Sequence, residues 1–441
     1  MAAVAAASPV GKPVDDKPKL PSQDGFYEVP RMKNLKKTKP GQVLKVRDTP
    51  APIAALGVVP LKLKASKQIL YSTLDNFGKP TATVMTVLVP HSPNYSKLVS
   101  YQFAEDAAAL DCAPSYSIQL STGGIIGDML SKAEVLLINA ALSRGWIVTI
   151  PDHEGPDAAF LARNMSGHAI LDGVRAALDS HEATGIYPAA DVALWGYSGG
   201  GLATAAAVEM HKSYAPEVNI IGAAMGGTVP NFADVLETIT STRHAGLAPA
   251  GMQGLANVYS KFGKILSDSL KPNFKSVFKD VREYCLIGNY IKYTGDDVKG
   301  YFKDYYKAIN STFVRDMLHE NSLGLAVPKV PVLVYHAEGD DVTPAHNTDE
   351  LVKYYCDNGA PSVVYHKNTK ADHLGMSVLG APRVLEFLDS VMDGDVQKKG
   401  CRTETSNATE IDPKSNDGLS GILGAGVMGE LGTTKTGPMG I

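Results

Sequence analysis

Between about Gly41 and Pro90 the chain alternates apolar and polar residues in short runs: QVLKVRDTP, LKLKASKQILYSTL and TATVMTVLVP. A period of two is that of a strand with one face buried, so these runs predict antiparallel strands. LVSYQFA, from Leu98 to Ala104, is a further apolar run, followed by the acidic turn and loop AEDAAALDCAPSYS. Beyond it the period changes. SKAEVLLINAALSRG recurs at helical spacing and closes on Gly145, and WIVTIPD reads as a short buried strand. SGHAILDGVRAALDSH is helical, DVALWGYS a strand, GGGLATAAAVEMHKSY a helix and VNIIGAAMGG a strand. Strands alternating with helices at this spacing predict an α/β protein, with a mostly parallel sheet covered on both faces. The rhythm breaks between residues 231 and 325, where Lys, Tyr, Phe and Asp recur at helical spacing. It resumes with VPVLVYHAEGDD, a helix from His346 to Asn358, SVVYHKN and a final helix. The expected organisation is an arm at 1–40, a core formed by 41–230 and 326–400, a helical insertion at 231–325, and a Gly/Thr/Ser-rich tail at 401–441.

One strand-to-helix turn carries a serine among glycines. Gly196-Tyr197-Ser198-Gly199-Gly200 fits G-x-S-x-G. In such an elbow the serine is strained so that its Oγ stands above the sheet edge, and the following helix aims free N–H groups at the same point. A purely structural turn or a phosphate-cradling loop is the competing reading. The chain has no G-x-x-x-x-G-K-[ST], and no G-x-G-x-x-G with an acid at the next strand end. A nucleophilic serine needs an acid and then a histidine later in the chain. After the insertion, VLVYHAEGDDVTP ends a strand at a glycine with two aspartates on the turn; Asp340 is preferred and Asp341 is the alternative. His373, in TKADHLG beyond the next strand, is the expected base. His366 lies within a strand and His346 too near the acid turn. One oxyanion donor is expected from the N–H of Gly199. The other is expected from the turn after LVSYQFA, with Asp106 supplying its N–H, although no HGGG is present there.

Composition narrows the class. The chain has 441 residues, 44% of them hydrophobic, enough for a large core, and a net charge of −4. It lacks the basic face of a nucleic-acid binder, and no run of 18 apolar residues could span a membrane. The four cysteines, Cys112, Cys285, Cys356 and Cys401, form no C-x-x-C pair; two disulfides and four buried thiols are both open. Asn-x-Ser/Thr sequons stand at Asn94, Asn164, Asn310 and Asn407. Pro151-Asp-His-Glu-Gly155 resembles a metal cluster but lacks H-E-x-x-H, and reads as a polar turn needing no metal. No cofactor is expected.

With these residues in hand, the chain resembles the fungal secretory lipase family. The motifs are SYQFAEDAAALDCAPSY, PDHEGPDAAF, ILDGVRA, WGYSGGGLAT, SYAPEVNIIGAAMGGT, VYHAEGDDVTP and ADHLG. The resemblance implies an α/β-hydrolase fold, with Ser198 as nucleophile, Asp340 as acid, His373 as base, and Asp106 and Gly199 as oxyanion donors. It implies disulfides Cys112–Cys285 and Cys356–Cys401, secretion, a lid made by the insertion and a flap made by the tail. The expected function is a monomeric lipase or carboxylesterase acting at a lipid–water interface, with acyl transfer to alcohols as a further capacity. A short-chain acetylesterase acting on a secondary metabolite is the alternative. The insertion's aromatics, Tyr259, Phe262, Phe274, Phe278, Tyr290, Tyr301 and Tyr305, would line an acyl tunnel or pack the insertion's own core.

Overall fold

The computed structural model describes residues 17–122, 129–395, 397–411 and 436–438. Its twelve strands are β1 (Val43–Asp48), β2 (Ala54–Ala55), β3 (Val59–Pro60), β4 (Ala65–Leu74), β5 (Pro80–Val89), β6 (Asn94–Gln102), β7 (Trp146–Pro151), β8 (Asp191–Tyr197), β9 (Ile220–Gly226), β10 (Val332–Ala337), β11 (Ser362–Asn368) and β12 (Gly400–Ser406). Ten of them form one sheet in the order β1-β4-β5-β7-β6-β8-β9-β10-β11-β12, and β2 and β3 pair separately. β1, β4 and β5 run antiparallel, and β5 joins β7 antiparallel. From β7 to β12 every pairing is parallel.

The central strands are buried on both faces, as parallel strands under helices must be. Along β8, Val192 and Leu194 enter one core cluster, while Ala193, Trp195 and Tyr197 enter the other. β10 repeats the division, with Val332 and Val334 on one face and Leu333, Tyr335 and Ala337 on the other. Helices Arg163–Asp179, Gly199–Tyr214 and Ala345–Asp357 supply the first cluster; Met129–Leu142 and Ala381–Met392 supply the second. The parallel strands therefore all point their C-terminal ends the same way, and the loops that follow them gather at one edge.

Between β9 and β10 the chain makes helices Phe232–Ile239, Leu247–Val258, Ser260–Ser269, Val277–Asp280, Leu286–Tyr293, Tyr305–Ile309 and Thr312–Asn321. They bury a core of their own, including Phe262, Leu266, Val298, Tyr301, Phe302 and Val314. Two disulfides cross-link the chain: Cys112–Cys285 ties the loop after β6 to this inserted segment, and Cys356–Cys401 ties helix Ala345–Asp357 to β12.

The tail departs from expectation. Cys401 does not begin it: residues 400–406 form the edge strand β12, paired residue for residue with β11. Its exposure alternates along a polar sequence, so no apolar run announces it. Of the expected flap at 401–441, residues 412–435 and 439–441 lie outside the described residues. Within the described tail, Thr436 donates its N–H to Lys62 and accepts from the N–H of His91. Lys62 precedes β4 and His91 precedes β6, at the end of the sheet opposite Ser198.

The cross-links close loops of 173 and 45 residues. Loop-closure entropy then assigns them about 5 and about 4 kcal/mol of stabilisation respectively. Replacing either pair by serine is expected to lower the calorimetric Tm by several degrees, the Cys112–Cys285 pair more. An unchanged Tm in both variants would contradict the cross-links' role.

Candidate active site

β8 ends in a turn that only these residues allow. Ser198 has φ 56° and ψ −121°, a strained conformation for a residue with a side chain. Its N–H donates to Gly226 and its carbonyl accepts from Leu202, the first bond of the helix. A Cβ on Gly196 would lie 2.3 Å from the carbonyl oxygen of Gly200, and one on Gly200 would lie 2.0 Å from that of Gln102. Tyr197 is more than a spacer: its buried hydroxyl donates to the carbonyl of His373 at 2.6 Å, and its ring packs on the His373 imidazole. The Gly199 N–H heads the helix and has no intrahelical acceptor.

His373 opens the short helix His373–Leu379 after β11. Its Nε2 lies 2.8 Å from Ser198 Oγ. Its Nδ1 lies 2.8 and 3.0 Å from the two oxygens of Asp340, so Nδ1 carries the proton and Nε2 is free to accept one. Asp340 also accepts from the N–H groups of Val342 and Thr343 at 2.9 and 2.7 Å. The structure thus brings Ser198, Asp340 and His373 together, in sequence order Ser, Asp, His. Asp341 instead faces the inserted segment, taking Arg243 and His244. His366 sits in β11, and the exposed His346 pairs with Asp234.

Electrostatics tune this array. Burial pulls the His373 pKa down, but the charge and hydrogen bond of Asp340, with Asp106 and Asp341 behind it, outweigh burial and leave it above the ordinary imidazole value. For Asp340, burial acts upward, and the neighbouring His373 and His336 with the Thr343 amide bring it below the usual carboxylate value. His336 was not legible as a site residue. It is fully buried in β10, donates from Nε2 to the Thr343 carbonyl at 3.0 Å, and stands 3.5 Å from Asp340.

Asp106 follows β6 with φ 46°. Its buried carboxyl rests on the nucleophile turn: a Cβ on Gly199 would lie 1.7 Å from Oδ1. Burial pushes its pKa up to about 7, against the opposing pull of His373. In its neutral form that carboxyl offers an O–H donor beside Gly199. The loop is braced from below by residues 152–154. His153 Nε2 donates to the Phe103 carbonyl at 2.9 Å, and burial holds its pKa down at about 4. Asp152 accepts from the N–H and hydroxyl of Ser115. Glu154, fully buried, is pushed well above its ordinary value by burial and by Glu105 and Asp106. Among the described residues no three His, Cys, Asp or Glu side chains group so as to hold a metal. In sequence the set reads as a polar turn at a strand end near the site; its complete burial was not visible there.

Two cavities meet at Ser198. One is apolar and runs under the inserted segment, lined by Phe232, Met252, Leu255, Phe262, Val314 and others. The second lies on the His373 side and is smaller and more polar, with Glu134, Tyr290 and Ser377 in its wall. Of the seven aromatics noted in sequence, Phe262 lines the first cavity and Tyr290 the second. Tyr259, Phe278, Tyr301 and Tyr305 are buried in the insertion's core, and Phe274 packs against it.

A serine on a strand–helix elbow, hydrogen-bonded to a histidine that an aspartate orients, can carry out acyl transfer; fold and site together define a hydrolase of the α/β-hydrolase class. The secretory lipase family matches residues 123–400. Lipase A of Arthroderma benhamiae is 39% identical over 96% of this chain and 92% of its own, and lipase 10 of Candida albicans 35% identical over 89% and 86%. Lipase A of Candida antarctica, in a crystal structure of its closed state, superposes with a TM-score of 0.81 at 30% identity, covering 96% of this chain and 99% of that one. The chain belongs to the secretory lipase family and is an ester hydrolase.

A base with a raised pKa is protonated, and so inactive, over a wider acid range. The acid limb of the kcat/KM profile is therefore expected above pH 6.5. Asp340→Asn is expected to move that limb to lower pH and to lower kcat about 10⁴-fold. A limb left in place by Asp340→Asn would contradict the assignment.

Proposed function

We propose that this chain is a secreted, monomeric serine lipase that cleaves medium- or long-chain acyl esters through an acyl-enzyme on Ser198. The single observation that carries the reading is the apolar cavity bounded by Ser198 and Gly199 and walled by Phe232, Leu236, Met252 and Leu255. An acetyl group needs no such apolar wall, whereas a long acyl chain buries its methylenes there at about 0.8 kcal/mol each. Ser198 Oγ attacks the ester carbonyl carbon while His373 Nε2 takes its proton. Asp340 orients the imidazole and stabilises its charged form. The N–H of Gly199 and the Asp106 group receive the oxyanion. The carbon–oxygen bond to the alcohol breaks, the alcohol takes the proton from His373, and it departs through the smaller cavity. Water then attacks by way of the same base and releases the fatty acid and free Ser198. An alcohol in place of water gives acyl transfer. No step calls for a cofactor.

In this reading residues 41–230 and 326–406 carry the catalytic core, the insertion at 231–325 is the lid and acyl-binding wall, and the tail beyond β12 supplies a flap. Two disulfides and the secretory family support an extracellular site of action. Asn310 and Asn407 are exposed sequons suited to glycosylation, whereas Asn164 is engaged with Asn76.

Initial rates on p-nitrophenyl esters from acetate to palmitate test the proposal. A maximum at medium or long chains, with turnover of triglyceride emulsions, is expected. Ser198→Ala is expected to lose at least about 10⁴-fold in kcat with an unchanged circular dichroism spectrum. Ala248→Trp, which fills the cavity wall, is expected to lower the palmitate-to-acetate ratio about tenfold or more. Activity confined to acetate would instead make the enzyme a short-chain acetylesterase. EDTA is expected to leave the rate unchanged, and a loss restored by zinc or calcium would contradict the mechanism.

A further inference from the structure

The loops bearing Asp340 and His373 are gripped from above by two consecutive residues of the inserted segment. Arg243 Nη2 lies 2.7 Å from Asp341 Oδ2 and 2.9 Å from Asp372 Oδ2. One guanidinium nitrogen therefore bridges the neighbour of the acid and the neighbour of the base. His244 Nε2 lies 2.8 Å from the same Asp341 oxygen, and its Nδ1 lies 3.0 Å from the Tyr290 hydroxyl. The other Asp341 oxygen accepts the backbone N–H of His373 at 3.3 Å. Asp372 caps the helix that His373 begins, accepting from Gly375 N–H at 2.7 Å.

The proton positions follow from the charges. Asp341 is ionised, so the nitrogen facing it, His244 Nε2, carries hydrogen and donates. Nδ1 then accepts from the Tyr290 O–H. Arg243 Nε, 3.0 Å from Nε2, makes a contact there rather than a bond. The side chain of His244 is 1% exposed and that of Arg243 is 56% exposed. Pairs as exposed as Arg243–Asp341 add little to fold stability. What the network fixes is geometry: it ties the inserted segment, the wall of the smaller cavity and the His373 backbone into one set of hydrogen bonds.

We propose that Asp341 is a positioning residue for His373, and that Arg243 and His244 make the seating of the inserted segment a condition of base alignment. The proposal rests on the catalytic reading of Ser198, Asp340 and His373. With the segment seated, Asp341 holds the His373 N–H and Arg243 neutralises the two carboxylates beside the array. With the segment lifted, Asp341 and Asp372 face each other without their shared cation, and the helix start that carries the imidazole loses its outer support. The enzyme is thus most active with the segment closed over the acyl chain.

Single-variant kinetics with monomeric p-nitrophenyl octanoate test this, with Tm measured alongside. Misplacement of a base by a fraction of an ångström is expected to lower kcat about tenfold in both Arg243→Ala and Asp341→Ala, with KM changed less than about twofold. The double variant is expected to be no worse than Asp341→Ala. Asp341→Asn keeps an oxygen for the His373 N–H but not the charge, and is expected to recover part of the loss. Wild-type kcat in Arg243→Ala, or losses that multiply in the double variant, would overturn the proposal. Should Asp341→Ala fail to fold, the half-exposed Arg243→Ala decides alone. Activity near the wild-type level in Ser198→Ala would instead defeat the catalytic reading, so the two failures are distinguishable.

Discussion

Ser198 sits in a backbone conformation that a residue with a side chain adopts only when its surroundings leave no choice, and the rest of the site is built outward from that turn. The parallel strands on either side hold it, through Gly226 on β9 and the Gln102 carbonyl at the end of β6, which admits no Cβ on Gly200. The same absence of side chains lets the Asp106 carboxyl settle on Gly199. Tyr197, one residue before the serine, reaches across to the carbonyl of His373. A single strained turn thereby sets the places of Ser198, the helix amide beside it and His373 opposite. The hydrophobic burial of β8 on both faces is what keeps that strain from relaxing.

Around this turn the protein buries more carboxyl groups than it neutralises with cations. Asp340 stays ionised because two amides and two imidazoles surround it. Asp106, Glu134 and Asp152 lack such company, and burial lifts them to about 7, 8 and 7. At neutral pH a share of each is protonated, so these groups carry less charge than an exposed carboxylate. In the proposed mechanism Asp340 is the anion beside His373, while the raised pKa of Asp106 lessens its repulsion of an oxyanion near Gly199.

The order of elements made much of this visible in the sequence. A strand, a glycine-flanked serine and a helix can hardly be arranged otherwise, and the strand ends that follow are the places where an acid and a base can reach it. Asp340 was preferred over Asp341 only because it follows the turn glycine directly. Both follow Gly339 on one turn, and only the folded turn shows the Val342 and Thr343 amides closing on Asp340 while Asp341 turns toward Arg243. β12 escaped notice because GCRTETS is an edge strand with no apolar face. His153 and Glu154 read as a polar turn near the site, but their burial was not visible, because nothing local tells a buried polar residue from an exposed one. The cysteine pairing came only through family resemblance, since spacing leaves it undetermined, and Tyr290 could not be assigned to a cavity before the insertion's path was known.

The central claim is that His373 and Asp340 make Ser198, among all the serines of the chain, the nucleophile. Treatment with diethyl p-nitrophenyl phosphate tests it directly: a new Ser198 Oγ–phosphorus bond forms as p-nitrophenolate leaves. The account predicts one diethylphosphoryl group per chain, located at Ser198 by peptide mass spectrometry, with esterase activity lost in proportion to labelling. Full activity in the labelled protein, or a label on another serine accompanying the loss, would contradict it.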